Sequence, residues 1–182
     1  MADGPRIAII GNAGGGKSTL ARDLSKALQT PHVELDRILW NMDWTPQPAD
    51  AYSEQHARAI AADAWIIDGF GRMDSIASRL RRTTAIILVD MPLWMHVWLA
   101  TERQIAWHRD AIDHPPAGAA VPPPTEALIQ TIFHVDHEWM PAIRTMVDEE
   151  ECRGKPVLRI ESVERLRHGL DTEDIAHLSN AR

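Results

Sequence analysis

The segment from residue 11 to residue 18 constrains the fold of this chain more than any other. It reads Gly-Asn-Ala-Gly-Gly-Gly-Lys-Ser and matches the pattern G-x-x-x-x-G-K-[S/T]. The apolar run at residues 7–10 precedes it directly, and a helix-like segment at residues 19–29 follows it. A strand that passes through a glycine-rich turn into a helix is the context this motif requires. The pattern therefore favours a phosphate-binding loop over a glycine-rich turn that binds nothing.

The chemistry of phosphate binding explains the spacing of this loop. Glycines permit positive φ, so several backbone N–H groups can point at one anion, and the following helix N-terminus adds partial positive charge. Lys17 can reach the β- and γ-phosphates, and Ser18 can ligate the Mg²⁺ that bridges them. We therefore predict bound ATP with Mg²⁺. The predicted nucleotide-binding residues are Gly11, Asn12, Ala13, Gly14, Gly15, Gly16, Lys17, Ser18 and Thr19.

The composition indicates one globular domain. A chain of 182 residues with 45% hydrophobic residues is long enough for one buried core, so we predict a single domain over residues 1–182. The net charge of −7 argues against nucleic acid as the main partner. The lone Cys152 excludes an internal disulfide framework. With no evident signal peptide or membrane-spanning segment, we expect a cytoplasmic protein of undetermined oligomeric state.

Short β-branched runs alternate with longer helical patterns along the chain. This alternation predicts an α/β fold in which right-handed crossovers build a doubly wound parallel sheet. A helix beginning near Thr125 is expected to kink or restart at Pro141. The Pro- and Ala-rich stretch at residues 114–124 has no periodicity and predicts an exposed, mobile loop, within a lid region of about residues 107–125. The predicted strands cover residues 7–10, 33–35, 65–67, 85–89 and 157–160.

Three aspartates follow predicted strands, at the sheet edge where ligands bind in open α/β folds. Asp36 can orient or deprotonate a substrate hydroxyl, and this function is favoured over its alternative, capping the short turn that follows. Asp68 and Asp90 can each supply the carboxylate on the Mg²⁺ side. Asp68 is preferred because Gly69 follows it and lets the backbone approach a ligand closely.

Several arginines are candidates for contact with a transferring phosphoryl group. Arg72, Arg103 and Arg109 lie after the third strand or before the loop, although a surface salt bridge is an equal alternative for each. The cluster Arg79, Arg81 and Arg82 is more typical of a solvated helix face than of a phosphate site.

The tryptophans and histidines are also informative. Trp40 and Trp44 bracket a segment after Asp36 and can line a substrate pocket. The helical spacing of four other tryptophans predicts that they lie in the core: Trp94, Trp98, Trp107 and Trp139. His134 and His137 share a helix face, but no third ligand at a diagnostic spacing supports a metal site.

These residues together resemble the small P-loop kinases of the adenylate kinase type. Within them, the chain is most similar to the DNA topology modulation proteins, or adenylate kinase-related kinases. The likeness covers about residues 6–110. It rests on the phosphate-binding loop, on Leu35-Asp36 followed by Trp40 and Trp44, and on the segments Trp-Ile-Ile-Asp-Gly at residues 65–69 and Ile-Ile-Leu-Val-Asp-Met-Pro at residues 86–92.

The resemblance implies a three-layer P-loop NTPase fold with a five-stranded sheet of order 2-3-1-4-5 and a short helical or loop lid. In that order the third strand lies beside the loop-bearing strand, which supports Ser18 and Asp68 as the metal ligands. Residues 68–72 are similar to the Asp-Gly-Phe-Pro-Arg signature of nucleoside monophosphate kinases, with Gly71 in place of proline, which implies a phosphate contact for Arg72. Arg103 and Arg109 fit the positions of lid arginines.

Three functions compete on this reasoning. The leading hypothesis is an ATP-dependent phosphotransferase acting on a small-molecule, nucleoside or nucleotide acceptor. Its predicted catalytic residues are Lys17, Asp36, Arg72, Arg103 and Arg109. The second is a nucleotide-binding switch with slow hydrolysis, which has no need of a pocket between Asp36 and Trp44. A nucleic-acid-binding module comes third because of the acidic charge.

Overall fold

The sheet follows the predicted topology. The computed structural model describes residues 4–112, 114–115 and 118–179. In them, five parallel strands form one sheet of order β2-β3-β1-β4-β5, which confirms the predicted fold class. The strand that leads into the phosphate-binding loop, β1, therefore lies at the centre. The strands are β1 (Arg6–Gly11), β2 (His32–Glu34), β3 (Trp65–Asp68), β4 (Ala85–Val89) and β5 (Val157–Ile160).

Helices cover both faces of the sheet. None of those in the described ranges is long and apolar enough to span a membrane. They are α1 (Lys17–Leu28), α2 (Leu35–Leu39), α3 (Ala49–Ala61), α4 (Met73–Arg82), α5 (Leu93–His108), α6 (Thr125–His134), α7 (Met140–Cys152), α8 (Val163–His168) and α9 (Thr172–Ser179).

The core has two halves because side chains of β1 alternate between the faces of the sheet. Ile7 and Ile9 pack with Leu20 and Leu24 of α1 and with residues of α8 and α9. Ala8 and Ile10 pack against the other face, with residues of α4 and α7. A buried parallel strand is apolar on both sides, which is why residues 7–10 are a continuous apolar run.

The predicted kink before Pro141 takes the form of a π-helical turn, Val135–Trp139, between α6 and α7. Proline has no N–H with which to continue an α-helical ladder. The N–H of Met140 donates to the carbonyl oxygen of Val135, five residues earlier, which is the π-helical spacing. This turn brings Val135 and Trp139 to the wall of a cavity at the carboxyl edge of the sheet.

The prediction that Trp94 and Trp98 lie in the core is wrong. They are 60% and 41% exposed, and their rings stack on each other with centroids 6.4 Å apart. Helix α5 has large apolar residues around most of its circumference, so periodicity alone did not identify its buried face. The buried face carries instead the residues His96, Ala100, Gln104 and Trp107. Of the four tryptophans predicted to be core, Trp107 is buried and Trp139 partly buried.

The interpretation of the basic cluster on α4 as a solvated face is wrong for Arg79. Arg81 and Arg82 are exposed, whereas Arg79 is fully buried. Its Nη2 donates to the carbonyl oxygens of Gly69 (3.3 Å) and Phe70 (3.1 Å), which line the cavity. Arg79 therefore anchors the turn after β3 from beneath.

Two buried histidines predict that the protein loses stability in acid. Burial lowers the pKa of both His56 and His96 to about 4, with the charges of Arg79 and Lys17 respectively acting in the same direction. In the unfolded chain the two histidines bind protons at a higher pH than in the folded protein. Their contribution to the free energy of unfolding is therefore fully present above about pH 6.5, and it is lost as the pH falls towards 4. We expect each histidine to cost about 2 kcal/mol of unfolding free energy between pH 7 and pH 5.

Urea denaturation at the two pH values measures this loss. His56→Gln is expected to remove the His56 share, whereas His177→Gln, on the exposed side of α9, is expected to leave the whole loss in place. An equal pH dependence in wild type and His56→Gln would show that His56 takes no part.

Candidate active site

A cavity of about 920 Å³ lies at the carboxyl edge of β1, β2 and β3. Its walls come from the loop after β1, the helix α2, the turn after β3, and parts of α5, α6 and the π-helical turn. This volume is near the upper end of the roughly 300–1,000 Å³ typical of ligand sites. The cavity is therefore large enough for two adjacent ligands of small-molecule size.

The loop after β1 has the conformation that the motif predicts. Gly14 and Gly16 take positive φ of 76° and 68°, and α1 begins at Lys17. A Cβ at Gly14 would stand 2.5 Å from the carbonyl oxygen of His96, and one at Gly16 would stand 2.8 Å from a methyl of Leu166. The backbone angles favour glycine at both positions, and at Gly14 the carbonyl oxygen of His96 also leaves no room for a Cβ.

Side chains from outside the motif also hold this loop. Nδ2 of the buried Asn12 donates to the carbonyl oxygen of Ile132 (2.8 Å), and its Oδ1 accepts from the N–H of Ala13 (2.7 Å). Nδ1 of His96 donates to the carbonyl oxygen of Ala13 (3.0 Å). The loop is thereby tied to α5 and α6, the two helices that flank the lid region.

Lys17 is the last residue before Ser18 in the motif, and its side chain folds back onto the loop. Its Nζ donates to the carbonyl oxygen of Asn12 (2.7 Å). Burial lowers the pKa of Lys17, while the charges of Asp36 and Asp68 oppose that shift. The ammonium group is therefore placed between the loop and two carboxylates that line the same cavity.

Ser18 and Asp68, the two predicted metal ligands, are in direct contact. The hydroxyl of Ser18 donates to Oδ2 of Asp68 (2.5 Å), and Nε2 of His32 lies 2.7 Å from Oδ1 of the same carboxylate. Asp68 is almost fully buried. The backbone partner of Ile9 across the sheet is Asp68, so the pairing of β3 with β1 sets this contact.

The alternative metal carboxylate, Asp90, is engaged elsewhere. Both of its oxygens accept from the guanidinium of Arg144 on α7, at 2.7–3.1 Å. Asp90 is not among the residues that line the cavity. The contacts of the two carboxylates thus favour Asp68.

Asp36 faces the same cavity from the other side. It lies in the first turn of α2, two residues beyond the end of β2 at Glu34. Burial raises the pKa of Asp36, and the charge of Lys17 opposes the shift. Arg103 of α5 also lines the cavity and interacts electrostatically with Asp36, while Trp40 and Trp44 form part of the wall.

The other two predicted arginines lie outside the cavity lining. Nη2 of Arg72 is 3.3 Å from Asp74, and the Arg72 side chain is 41% exposed. Arg109 is exposed at the C-terminal end of α5. Of the three arginines predicted to contact phosphate, the structure brings only Arg103 to the site.

The described part of the Pro- and Ala-rich loop lies against the cavity wall that contains Trp44. Ala119 is buried, whereas the sequence predicts an exposed loop here. Nε1 of Trp44 donates to the carbonyl oxygen of Val121 (2.9 Å), and Nε2 of Gln104 donates to that of Pro123 (2.8 Å). Part of the predicted lid region, Asp113, Pro116 and Ala117, lies outside the described residues.

Sequence reasoning missed the supporting residues His32, His96 and Arg79. Each acts through a contact between segments far apart in the chain, so no local spacing marks it. A polar residue at the buried face of a strand or helix was the only available signal. For His134 and His137, the described residues contain no group of three or more potential ligands that could hold a metal ion.

Comparisons with known proteins identify the fold. The chain matches no protein-family model and no curated protein sequence. Among solved structures, it is similar to the shikimate kinase of Bacteroides thetaiotaomicron, with a TM-score of 0.56 and 15% identity over 96% of this chain and 94% of that one. A gluconokinase from Sinorhizobium meliloti 1021 gives a TM-score of 0.52 and 14% identity, covering 98% and 93% of the two chains.

A third similar structure contains a bound ligand. The shikimate kinase of Acinetobacter baumannii in complex with shikimate gives a TM-score of 0.53 and 13% identity, covering 97% of this chain and 90% of that one. At such identities the likeness extends to architecture, and the order of the five strands agrees with it. The chain therefore has the fold of the P-loop kinases.

Proposed function

We propose that this protein is an ATP-dependent phosphotransferase that transfers the γ-phosphoryl group to a hydroxyl of a small acceptor. One observation carries the proposal. A single cavity contains the phosphate-binding loop and, facing it, the carboxylate of Asp36 beside Trp40 and Trp44. A nucleotide switch needs the loop alone, whereas a kinase needs a second ligand opposite the γ-phosphate.

The residues present fit ATP and Mg²⁺. A loop whose glycines leave no room for a Cβ offers its N–H groups to phosphate oxygens, and Lys17 stands at its end. Ser18 and Asp68 form the oxygen pair that would hold Mg²⁺, an ion usually bound by few protein oxygens and completed by phosphates and water. When bound, the ion neutralises negative charge on the phosphates.

The chemistry follows from the positions of these groups. Lys17 binds the donor phosphates, and Asp36 orients the acceptor hydroxyl and accepts its proton as the oxygen bonds to the γ-phosphorus. Arg103 stabilises the charge on the transferring group. Burial lowers the pKa of Arg103, and the charge of Asp36 raises it. The side chains of Trp40 and Trp44 line the cavity beside Asp36 and restrict the access of water, which limits hydrolysis of ATP.

We place the chain closest to the DNA topology modulation proteins, on the sequence resemblance of the loop, the Asp36–Trp44 segment and the turn after β3. The free, exposed Cys152 fits a reducing compartment, so we place the enzyme in the cytoplasm.

Replacing the metal-side carboxylate tests its assignment. In Asp68→Asn we expect the Mg²⁺ concentration for half-maximal ATP turnover to rise about 10–100-fold, because the ligand pair with Ser18 loses its charge. A Mg²⁺ titration of nucleotide binding by calorimetry gives the same information without turnover. Asp90→Asn is the matched control, since Asp90 contacts Arg144 outside the cavity. An equal shift in the two variants would contradict the assignment of Asp68.

A screen of acceptors tests the proposed activity. ADP formation from ATP and Mg²⁺ is measured with nucleosides, nucleotides, sugars, and the carboxylic acids shikimate and gluconate. We expect at least one class to stimulate ADP formation well above the rate with ATP alone. If no acceptor stimulates it, the protein is not a kinase of these compounds and the proposal fails.

A further inference from the structure

The acceptor end of the cavity, lined by Glu34, Asp36, Asp43 and Arg103, carries more negative than positive charge. The positive charge of Arg103 is opposed by Asp36, with which it interacts. Glu34 Oε2 accepts from Nε of Arg37 at 2.9 Å, which neutralises that carboxylate. The charge of Asp43 then remains without a cationic partner among the contacts of the described residues.

Asp43 keeps this charge because its turn stabilises it. Its Oδ1 accepts from the hydroxyl (2.6 Å) and the N–H (3.0 Å) of Thr45. These hydrogen bonds lower the pKa of Asp43, the hydroxyl contributing most. An anionic acceptor would therefore meet a permanent negative charge at the mouth of its site.

No further arginine or lysine in the described lining is placed to compensate. Lys17 belongs to the donor loop, and Arg22 contacts Thr19 in α1, on the donor side. Arg72 and Arg109 do not line the cavity. An acceptor phosphate or carboxylate is usually bound by guanidinium groups. In this part of the described lining the guanidinium is that of Arg103, whose charge already interacts with Asp36.

The same end of the cavity offers flat apolar walls. Trp40 and Trp44 line it, and Phe70 stacks on Trp139 with ring centroids 4.6 Å apart. Aromatic side chains bind flat rings by stacking, and the energy does not depend on a charge in the ligand. These walls suit an acceptor with a planar ring.

We propose that the phosphate acceptor is an uncharged ring compound with a hydroxyl group, of the nucleoside class, and not a phosphate- or carboxylate-bearing molecule. The inference rests on the proposed kinase function. The acceptor oxygen forms a bond to the γ-phosphorus of ATP while the bond from that phosphorus to the β–γ bridging oxygen breaks. The hydroxyl proton passes to Asp36, and ADP leaves with the bridging oxygen.

Matched pairs of acceptors test the inference. The kcat/KM values of each common ribo- and deoxyribonucleoside are compared with those of its 5′-monophosphate, at saturating ATP and Mg²⁺. Calorimetry with a non-hydrolysable ATP analogue measures binding of the same pairs independently of turnover. We expect at least one nucleoside to exceed its monophosphate several-fold in both measurements, since an exposed carboxylate close to a phosphate weakens binding in water by about that factor.

A charge-only substitution sharpens the test. Asp43→Asn keeps the Oδ1 acceptor for Thr45 and removes the charge. We expect this variant to lower the ratio of the nucleoside kcat/KM to the monophosphate kcat/KM several-fold, and to leave the KM for ATP unchanged. Asp63→Asn makes the same charge change at an exposed position outside the cavity lining, and the ratio is expected to stay at the wild-type value.

The outcomes separate this inference from the function on which it rests. A monophosphate or a carboxylate that is phosphorylated as well as or better than every nucleoside overturns the inference and leaves a kinase. A ratio that Asp43→Asn does not change overturns the electrostatic explanation. If no compound of any class accepts a phosphoryl group, the proposed function and the inference fail together.

Discussion

Lys17→Met is expected to lower kcat about 10²–10³-fold and to weaken ATP binding, because it removes the one cationic side chain that terminates the phosphate-binding loop. In the structure, Nζ of Lys17 donates to the loop at the carbonyl oxygen of Asn12, so the ammonium group is already at the place where we propose that phosphates bind. Methionine fills a similar volume without charge. Steady-state kinetics and calorimetry with ATP measure the two effects.

The matched control for this change is Lys26→Met. Lys26 lies on the same helix, α1, in its last turn and exposed. We expect nearly wild-type kinetics from it. Wild-type turnover in Lys17→Met would show that the loop does not act through Lys17, and a similar loss in both variants would point to the stability of α1 instead.

Asp36→Asn is expected to lower kcat about 10²–10⁴-fold with little change in ATP affinity, since the substitution removes a proton acceptor and leaves the donor loop intact. Only the unprotonated carboxylate accepts a proton. Burial raises the pKa of Asp36, so activity in wild type should be lost in acid at a pH above the usual carboxylate range. A pH–rate profile measures this, and Asp50→Asn in the exposed first turn of α3 is the control.

This substitution also separates a kinase from a nucleotide switch. A switch hydrolyses ATP slowly without an acceptor, so the loss of Asp36 would change neither turnover nor affinity appreciably. If Asp36→Asn retains acceptor-dependent turnover, Asp36 is not the base.

Most of the sheet was predictable from the sequence because buried parallel strands are short, continuous apolar runs. Residues 85–89 and 157–160 were predicted with their observed bounds, and the phosphate-binding loop follows β1 as expected. The order of the strands came from the resemblance to small P-loop kinases, since hydrophobic patterning does not say which strands are neighbours. The structure confirms it.

The surroundings of the site were less predictable because they depend on contacts between distant segments. A basic residue in a helical pattern is usually solvated, yet Arg79 is buried where it supports the turn after β3. Trp94 and Trp98 are exposed, and the buried face of α5 carries His96, Ala100, Gln104 and Trp107 instead. The hydrogen bond from Trp44 to Val121 joins residues 77 positions apart, beyond the reach of any local pattern.

Transfer of label from γ-³²P-ATP tests the central claim most directly, namely that one cavity holds a donor loop and an acceptor site around Asp36. Wild type and Asp36→Asn are incubated with Mg²⁺ and the acceptors, and the labelled products are separated. We predict that label appears in an acceptor with wild type and falls at least about 10²-fold with Asp36→Asn. Label found only in inorganic phosphate, at the same slow rate with both proteins, would contradict the claim.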